Sequence, residues 1–205
     1  MQLMDYIDAK GMLDKYGIRS IESRYVNSAE QAVKFAGSDP IVMKVLSNKA
    51  LHKSKSGLVL LDLRGKDEVK KAYAALLKKA KGLSPYKIIV QKMAGRGIEV
   101  IIGGRTDEQF GKVILLGLGG IYVEVFKDFA LRICPIKEID AKDMIKQLKS
   151  NSVITYNGKN EKMLTDLLLK VSKLLSSNAT INELDLNPVI LRENGYDVVD
   201  IRILK

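Results

Sequence analysis

The stretch Ile88-Ile-Val-Gln-Lys-Met-Ala-Gly-Arg-Gly-Ile-Glu-Val-Ile-Ile-Gly103 decides how this chain is organised. Two apolar runs flank a short segment that carries Gly95 and Gly97. Apolar runs of this length, bounded by glycines, predict two β-strands with a turn or hinge between them. We therefore expect the chain to divide here into two lobes, residues 1–92 and residues 93–205.

Helix-like and strand-like periods alternate on both sides of this hinge. Because such alternation is typical of mixed architectures, it indicates an α+β protein. The expected elements of the first lobe are helices at 5–16, 28–35 and 67–81 and strands at 21–26, 41–46 and 58–63. Those of the second lobe are a hairpin turning at 106–111, helices at 140–149 and 161–175, and a second hairpin made of 183–190 and 196–202.

Composition narrows the class of protein. With 205 residues, 46% of them hydrophobic, the chain can bury a substantial core. The longest apolar stretch, residues 113–123, is too short and too interrupted by glycine to cross a bilayer, and the first residues do not read as a signal peptide. The one cysteine, Cys134, permits no internal disulfide. These features predict a soluble protein of the reducing cytoplasm.

The formal charge of +10 is compatible with a nucleic acid, an anionic small ligand or an acidic protein surface as partner. Many lysines lie on the polar face of the predicted helix 67–81, where they need no ligand. Only 6% of the residues are aromatic, which leaves few rings to stack on bases. The sequence thus argues against a nucleic-acid-binding protein.

His52 is the only histidine, and it lies between two strand-like runs among Lys49, Lys53 and Lys55. Imidazole titrates near neutral pH and can act as a nucleophile, a base or a ligand. The neighbouring lysines would offset the charge of a phosphoryl group. The pattern suggests phosphate chemistry at His52 more than a role in packing, and a surface histidine without function stays open as the alternative.

Oxygen ligands are concentrated near the end of the chain. Asp185 and Asn187 are two residues apart on one predicted strand, so their side chains point to the same face. Asp200, on the partner strand of the hairpin, can complete the set. Since Mg²⁺ prefers oxygen ligands, these residues predict a magnesium site, unless the carboxylates are merely solvated and Asn187 only shapes a strand end.

Basic and glycine-bearing segments could bind negatively charged groups such as phosphate. Lys44 lies inside an apolar strand, where its ammonium group must find an anion or reach solvent. Backbone N–H groups between Ser54 and Gly57, and near Gly119 and Gly120, could approach phosphate oxygens, although structural turns explain such glycines as often.

Two glutamates, Glu99 and Glu124, lie among apolar neighbours. Each could contact a ribose or take part in catalysis. Each could equally occupy an outward position at the edge of a sheet. The residues by themselves leave both interpretations open.

Several motifs, in this order along the chain, resemble the ATP-grasp β subunit of ADP-forming acetyl-CoA synthetase, also called NDP-forming acyl-CoA synthetase. The resemblance covers nearly the whole chain. The motifs are residues 9–17, 41–47, Leu51-His-Lys-Ser54, 90–93, 97–103, Asp107 with Phe110-Gly111, 117–124 through Asp128 and Arg132, 183–189 and 199–202.

The resemblance implies a two-lobed ATP-grasp fold with mixed or antiparallel sheets, flanking helices and a nucleotide between the lobes. It also implies the reaction acyl-CoA + ADP + phosphate ⇌ acid + CoA + ATP. A separate α subunit would bind CoA and perform the acyl chemistry, and two α and two β chains would form a heterotetramer. Neither a membrane nor a nucleic acid is an expected partner.

The same resemblance implies roles for single residues. His52 would be phosphorylated and pass the phosphoryl group to ADP, with Glu124 near the transfer site. Asp185, Asn187 and Asp200 would hold Mg²⁺. The nucleotide, ATP or ADP, would be contacted by residues of three kinds. Lys44 would contact the phosphates, Glu99 would lie near the sugar, and the adenine would be lined by Gln91, Lys92 and Met93.

The sequence departs from the family pattern in two segments. Lys55-Ser-Gly-Leu58 follows the histidine motif where the family usually has aspartate and two glycines, and Lys159 replaces an expected arginine. A lysine keeps the charge but loses the bidentate fork of arginine. Two other functions therefore stay open: a catalytically degenerate ATP-grasp subunit with a regulatory or scaffolding role, and a basic nucleic-acid-binding module.

Overall fold

The computed structural model describes residues 2–47, 57–120 and 128–205. It contains two compact units, each with its own sheet. The small unit is Ile21–Met93, and the large unit is Met1–Ser20 together with Ala94–Lys205. No helix among the described residues has the length and apolar character needed to cross a bilayer.

The small unit is a four-stranded sheet with two helices. Its strands are β1 (Ser23–Val26), β2 (Ile41–Leu46), β3 (Val59–Leu63) and β4 (Lys87–Lys92), and its helices are α2 (Ala29–Ala36) and α3 (Gly65–Ala80). The strands follow the order β1-β4-β2-β3, and each neighbouring pair is antiparallel.

One face of this sheet forms the core of the small unit with both helices. Ile41, Met43 and Val45 of β2 pack there with Val90 of β4 and Leu76 of α3. Because side chains alternate along a strand, the residues between them project from the other face. Ser28 is the N-cap of α2, and its hydroxyl accepts a hydrogen bond from the backbone N–H of Gln31 at 3.2 Å.

The large unit is a six-stranded sheet with helices on one face. Its strands are β5 (Ile98–Asp107), β6 (Gly111–Leu118), β7 (Phe129–Ile133), β8 (Glu183–Arg192), β9 (Gly195–Val198) and β10 (Ile201–Leu204). Its helices are α1 (Tyr6–Lys15), α4 (Glu138–Gln147), α5 (Asn151–Ile154) and α6 (Glu161–Ser176). The strand order is β10-β8-β5-β6-β7, and β9 also pairs with β8.

The two faces of the large sheet differ in burial. Ile102, Leu116 and Leu186 are fully buried on the face that the helices cover. Gly104 lies so close to α6 that an added Cβ atom would come within 2.5 Å of the Leu175 side chain. The opposite face carries Asp185 in register with Gly103, and both are only partly buried.

Residues 1–20 depart from the expected first lobe, because they pack with the large unit. Leu3 forms an antiparallel bridge with Leu204, and Met4 donates a backbone hydrogen bond to Ile203 at 2.9 Å. Ser20 forms a parallel bridge with Val198. These contacts join the two ends of the chain, and short-range sequence patterns carry no information about such pairings.

The second predicted hairpin also differs in detail. Residues 196–202 do not form one strand, since β9 ends at Val198 and β10 begins at Ile201. Both strands pair with β8.

The strand β7 was not expected, because its large side chains Phe129, Leu131 and Ile133 are about half exposed whereas Ala130 is buried. This pattern reverses the usual placement of large apolar residues.

We predict that substitution by alanine has opposite effects on the free energy of unfolding at Gly97 and at Gly11. At Gly97 a Cβ atom would overlap the carbonyl oxygen of Leu191 and lie 2.7 Å from Ile190 Cγ2, so Gly97→Ala should lower the free energy of unfolding by about 1 to 3 kcal/mol. At Gly11, inside α1, nothing lies within 4 Å, so Gly11→Ala should raise it by about 0.5 to 1 kcal/mol. Urea denaturation measures both, and equal shifts of the midpoint would contradict the packing at Gly97.

Candidate functional site

Asp185, Asn187 and Asp200 meet at one edge of the large sheet. Asp185 and Asn187 lie two residues apart on β8, and Asp200 directly precedes β10. The backbone N–H of Asn187 donates to the carbonyl oxygen of Asp200 at 3.3 Å, which joins the two segments. The structure therefore brings together the two carboxylates and the amide that the sequence predicted as magnesium ligands, named here the carboxylate cluster.

Electrostatics within the carboxylate cluster favour a cation. Burial, reinforced by the nearby charges of Asp200 and Glu183, raises the pKa of Asp185, and Arg202 opposes the effect. Arg202 is the direct cross-strand partner of Asp185. A divalent cation would relieve the repulsion between these carboxylates, and the three oxygen-bearing side chains suit Mg²⁺.

The carboxylate cluster offers few ligands for a metal ion. In the three described segments, no group of three or more histidine, cysteine, aspartate and glutamate side chains is arranged to hold a metal ion. The carboxylate cluster supplies two carboxylates and one amide. Further oxygen ligands would have to come from phosphate or water, which is common for protein-bound Mg²⁺.

Glu99 lies against the glycines at the end of β6. The backbone N–H of Gly119 donates to the Glu99 carbonyl at 2.7 Å, and a Cβ atom on Gly119 would lie 2.8 Å from the Glu99 carbonyl carbon. A Cβ atom on Gly120, which has a positive φ of 72°, would lie 3.3 Å from Glu99 Oε2. Close packing against Glu99 thus explains why both positions are glycine.

Glu99 also belongs to the less covered face of the large sheet. It is exposed on β5 and alternates with buried Val100, so it shares a face with Gly103, the cross-strand neighbour of Asp185. The structure therefore places Glu99, Gly119 and Gly120 together.

In the small unit, Lys44 and Gln91 share the sheet face opposite the two helices. Lys44 pairs with Ile89, and Gln91 pairs with Val42 on the same two strands. Lys44 is 6% exposed and Gln91 is 1% exposed. A lysine and an amide are rarely buried without polar contacts, and here they share the face with the buried apolar side chains of Val42 and Ile89.

Lys92 points to the opposite face from Gln91. Its ammonium group donates to the Ala36 carbonyl at 3.1 Å and to Asp39 Oδ2 at 2.9 Å, and it lies 5.3 Å from the centre of the Phe35 ring. The Lys92 side chain therefore contacts the C-terminal end of α2 and does not lie on the sheet face that carries Lys44. The exposed Met93 follows Gln91 at the end of β4.

Three predicted residues, His52, Ser54 and Glu124, lie outside the described residues. Gly57 follows the histidine segment with a φ of 64°, and its carbonyl oxygen accepts a hydrogen bond from Lys79 Nζ at 3.0 Å. The positive φ accounts for glycine at this turn position. Lys159, the replacement for an expected arginine, forms an exposed ion pair with Glu193 at 2.8 Å.

Sequence reasoning did not find Ser23 and Arg202 as neighbours of the predicted site. Ser23 Oγ accepts a hydrogen bond from Gln91 Nε2 at 3.1 Å, across 68 residues of chain. Arg202 could have been found from the sequence, because it follows Asp200 by two residues and so alternates onto its face. Ser23 gave no such signal.

Comparison with known proteins places the chain in a family. A sequence profile described as an ATP-grasp domain matches residues 1–204. The β subunit of acetate–CoA ligase [ADP-forming] I from Pyrococcus furiosus is 34% identical over 208 residues, which cover 96% of this chain and 89% of that subunit. The chain belongs to the ATP-grasp family, among the β subunits of ADP-forming acetate–CoA ligases.

Other members of this ligase family differ in length. Acetate–CoA ligase [ADP-forming] II from Archaeoglobus fulgidus is 36% identical over 211 residues, and the match covers 100% of this chain but only 30% of that protein. The chain thus spans about a third of this longer relative and most of the Pyrococcus subunit.

A solved ligase-family structure has the same fold. Dinucleotide-forming acetyl-coenzyme A synthetase 1 from Ca. Korarchaeum cryptofilum aligns with a TM-score of 0.85 and 35% identity, covering 98% of this chain and 92% of that chain. That structure holds coenzyme A and Mg-AMPPCP, with a phosphohistidine segment pointing towards its nucleotide binding site. The predicted ATP-grasp fold is therefore confirmed.

We predict that Asp185→Asn stabilises the metal-free protein at neutral pH. The pKa of Asp185 is raised on folding, so ionisation of this carboxyl costs stability as the pH rises from its unfolded pKa through its folded pKa. The asparagine variant lacks this cost. Its gain in the free energy of unfolding should be full at pH 7 and vanish near about pH 3, below both pKa values.

Urea denaturation at pH 7 and at acidic pH measures this effect. Exposed Asp143 on α4 offers the matched control, because Asp143→Asn removes a carboxylate outside the cluster. A gain for Asp185→Asn that does not change with pH would contradict the electrostatic origin.

Proposed function

We propose that the chain acts as the β subunit of an ADP-forming acyl-CoA ligase that binds Mg-ADP and Mg-ATP. The overall reaction is acyl-CoA + ADP + phosphate ⇌ acid + CoA + ATP. The observation that carries the proposal is the match to the Pyrococcus furiosus β subunit over 89% of that subunit. The carboxylate cluster in the large unit supports it, because phosphoryl transfer to ADP needs a divalent cation.

The carboxylate cluster would hold the metal through Asp185, Asn187 and Asp200. Bound Mg²⁺ would neutralise charge on the nucleotide phosphates during transfer. Asp185 and Asp200 supply full negative charges, and Asn187 supplies a neutral oxygen. Arg202, opposite Asp185, limits the net charge of the cluster before metal binds.

Several further residues would contact the nucleotide. Lys44 would contact phosphate oxygens, together with backbone N–H groups at Ser54, Gly57, Gly119 and Gly120. Glu99 would lie near the sugar. These roles follow the family resemblance, and the burial of Lys44 agrees with a partner of negative charge.

Gln91 and Met93 would line the adenine. The side chain of Lys92 is committed to Asp39 and α2, so Lys92 would contribute only its backbone to this site.

His52 would carry the phosphoryl group. An imidazole nitrogen of His52 attacks phosphorus on a phosphohistidine of the partner α subunit, so that one P–N bond forms as another breaks. The β-phosphate oxygen of ADP then attacks the same phosphorus as the P–N bond breaks, and the leaving imidazole nitrogen takes up one proton from solvent, which yields ATP and neutral imidazole. Glu124 would lie close to this transfer. The lysines around His52 offset the charge of the phosphoryl group.

The α subunit would bind CoA, perform the acyl chemistry and choose the acyl substrate. We propose an α2β2 heterotetramer in the cytoplasm. The presence of separate β subunits and of longer single chains among the relatives supports an association with an α-type partner.

Magnesium-dependent nucleotide binding is the first prediction of this proposal. ADP or ATP with Mg²⁺ should raise the apparent stability by about 2.7 kcal/mol when the ligand is at 100 times its Kd. Without Mg²⁺ the effect should be much smaller. Asp200→Asn should abolish the magnesium dependence, whereas the control Asp143→Asn should keep it. Thermal-shift titrations measure each case, and a rise that Mg²⁺ does not affect would contradict the role of the carboxylate cluster.

Loss of the phosphoryl carrier is the second prediction. His52→Asn should retain the nucleotide-induced thermal shift but reduce ATP formation by the assembled enzyme by about 10³-fold or more, because the covalent intermediate cannot form. Radiolabel from phosphate should appear on the wild-type β chain and not on the variant. Full activity of His52→Asn would instead support a scaffolding role, and steeply salt-dependent binding of oligonucleotides in preference to ADP would support a nucleic-acid-binding module.

A further inference from the structure

Asp185 has two cross-strand neighbours of different kinds. Gly103 on β5 is its partner on one side and contributes no side chain, whereas Arg202 on β10 is its partner on the other side. Directly opposite residues of antiparallel strands have Cβ atoms about 5 Å apart, so the guanidinium group of Arg202 can reach the Asp185 carboxylate. The strand pairing thus sets a positive charge beside a predicted metal ligand.

Arg202 nevertheless pairs with a different carboxylate. Its Nη1 atom lies 3.9 Å from Oε1 of Glu183, and both side chains of this ion pair are about half exposed. Glu183 precedes Asp185 by two residues on β8, so the two carboxylates project from the same face. Within the described segments, no residue donates a hydrogen bond to the Asp185 carboxylate or forms an ion pair with it. Of two carboxylates within reach, Glu183 holds the guanidinium group.

The other arginine beside Glu183 is already paired. Arg105 on β5 is the direct cross-strand partner of Glu183. Its Nη2 atom lies 3.1 Å from Oδ2 of Asp107, with which it forms an ion pair. Glu183 is therefore left to Arg202.

An arginine paired with Asp185 would oppose metal binding. Charge-assisted hydrogen bonds from a guanidinium group would occupy the carboxylate oxygens, and a metal ion would have to displace them before it could be coordinated. Because burial disfavours the charged form of Asp185, this carboxylate would gain from Arg202 as well as from Mg²⁺. The two cations are thus alternatives at one carboxylate.

We propose that Glu183 is a positioning residue that holds Arg202 away from the Asp185 carboxylate and so keeps this carboxylate open to Mg²⁺. The inference rests on the proposed function, in which the carboxylate cluster holds the metal of Mg-ADP or Mg-ATP. Glu183 acts through Arg202 and is not itself a metal ligand.

The test is titration of the purified full chain with Mn²⁺ alone, read from the electron paramagnetic resonance signal of the free ion. Mn²⁺ suits the same carboxylate, carbonyl and water ligands as Mg²⁺. The wild-type chain should bind Mn²⁺, and Asp200→Asn should bind it much more weakly. Glu183→Gln should weaken binding by about tenfold, because Arg202 then pairs with Asp185 and because one negative charge near the metal is lost.

Substitution of Arg202 separates these two causes. In an Arg202→Met background, Glu183→Gln can act only through its own charge and should weaken Mn²⁺ binding by no more than about twofold. The coupling between the two substitutions should therefore be about fivefold. The double variant should also bind Mn²⁺ more tightly than Glu183→Gln alone, a rescue that general damage to the sheet would not produce.

Glu193→Gln is the matched control. Glu193 lies at the turn between β8 and β9 and forms an exposed ion pair with Lys159 at 2.8 Å. The substitution breaks an ion pair and makes the same change of charge, but away from the carboxylate cluster. The affinity for Mn²⁺ should change by less than about twofold.

The outcomes distinguish this inference from the proposed function. An equal loss from Glu183→Gln in the wild-type and Arg202→Met backgrounds, or no loss in either, would overturn the role of Glu183. Absence of Mn²⁺ binding by the wild-type chain, with the nucleotide-induced thermal shift intact, would also overturn it and would leave nucleotide binding in place. Absence of both would count against the proposed function and would remove the basis of this inference with it.

Discussion

The antiparallel pairing of β8 with β5 on one side, and with β9 and β10 on the other, holds the large unit together. This strand lies inside the sheet, so its backbone polar groups are largely satisfied by neighbours. Its pairing with β10 extends to the N-terminal segment, since Leu3 bridges to Leu204. The same strand carries Asp185 and Asn187. The carboxylate cluster is thus part of the framework of the sheet, which fixes its geometry.

Strand alternation then divides each sheet into two chemically different faces. In the large unit, Ile102 and Leu186 pack under the helices, while Gly103 and Asp185 lie on the other face. In the small unit, Val90 belongs to the core beneath the helices, and Gln91 faces the opposite way. Apolar burial beneath the helices stabilises each unit, and the other face carries polar groups as well, beside buried Val42 and Ile89 in the small unit.

Charged residues lie on the sheet face away from the helices in each unit. In the large unit the negative charge of Asp200 helps to raise the pKa of Asp185, and in the small unit the positively charged Lys44 is buried. A metal-bound nucleotide contains both kinds of charge. Membership in the ATP-grasp ligase family agrees with this division, because phosphoryl transfer depends mainly on positioning and charge neutralisation.

The sequence by itself determined most of the elements and the α+β class, and it predicted that residues of β8 and of the segment before β10 come together. Asp185, Asn187 and Asp200 could be placed together because side chains alternate along a strand and a hairpin pairs neighbouring segments, and both rules act over short distances. Only the tertiary structure decided that residues 1–20 join the large unit, that the Lys92 side chain contacts the end of α2, and that Gln91 donates a hydrogen bond to Ser23. Each of these depends on partners far away in the chain, and local periodicity does not specify which distant segments meet.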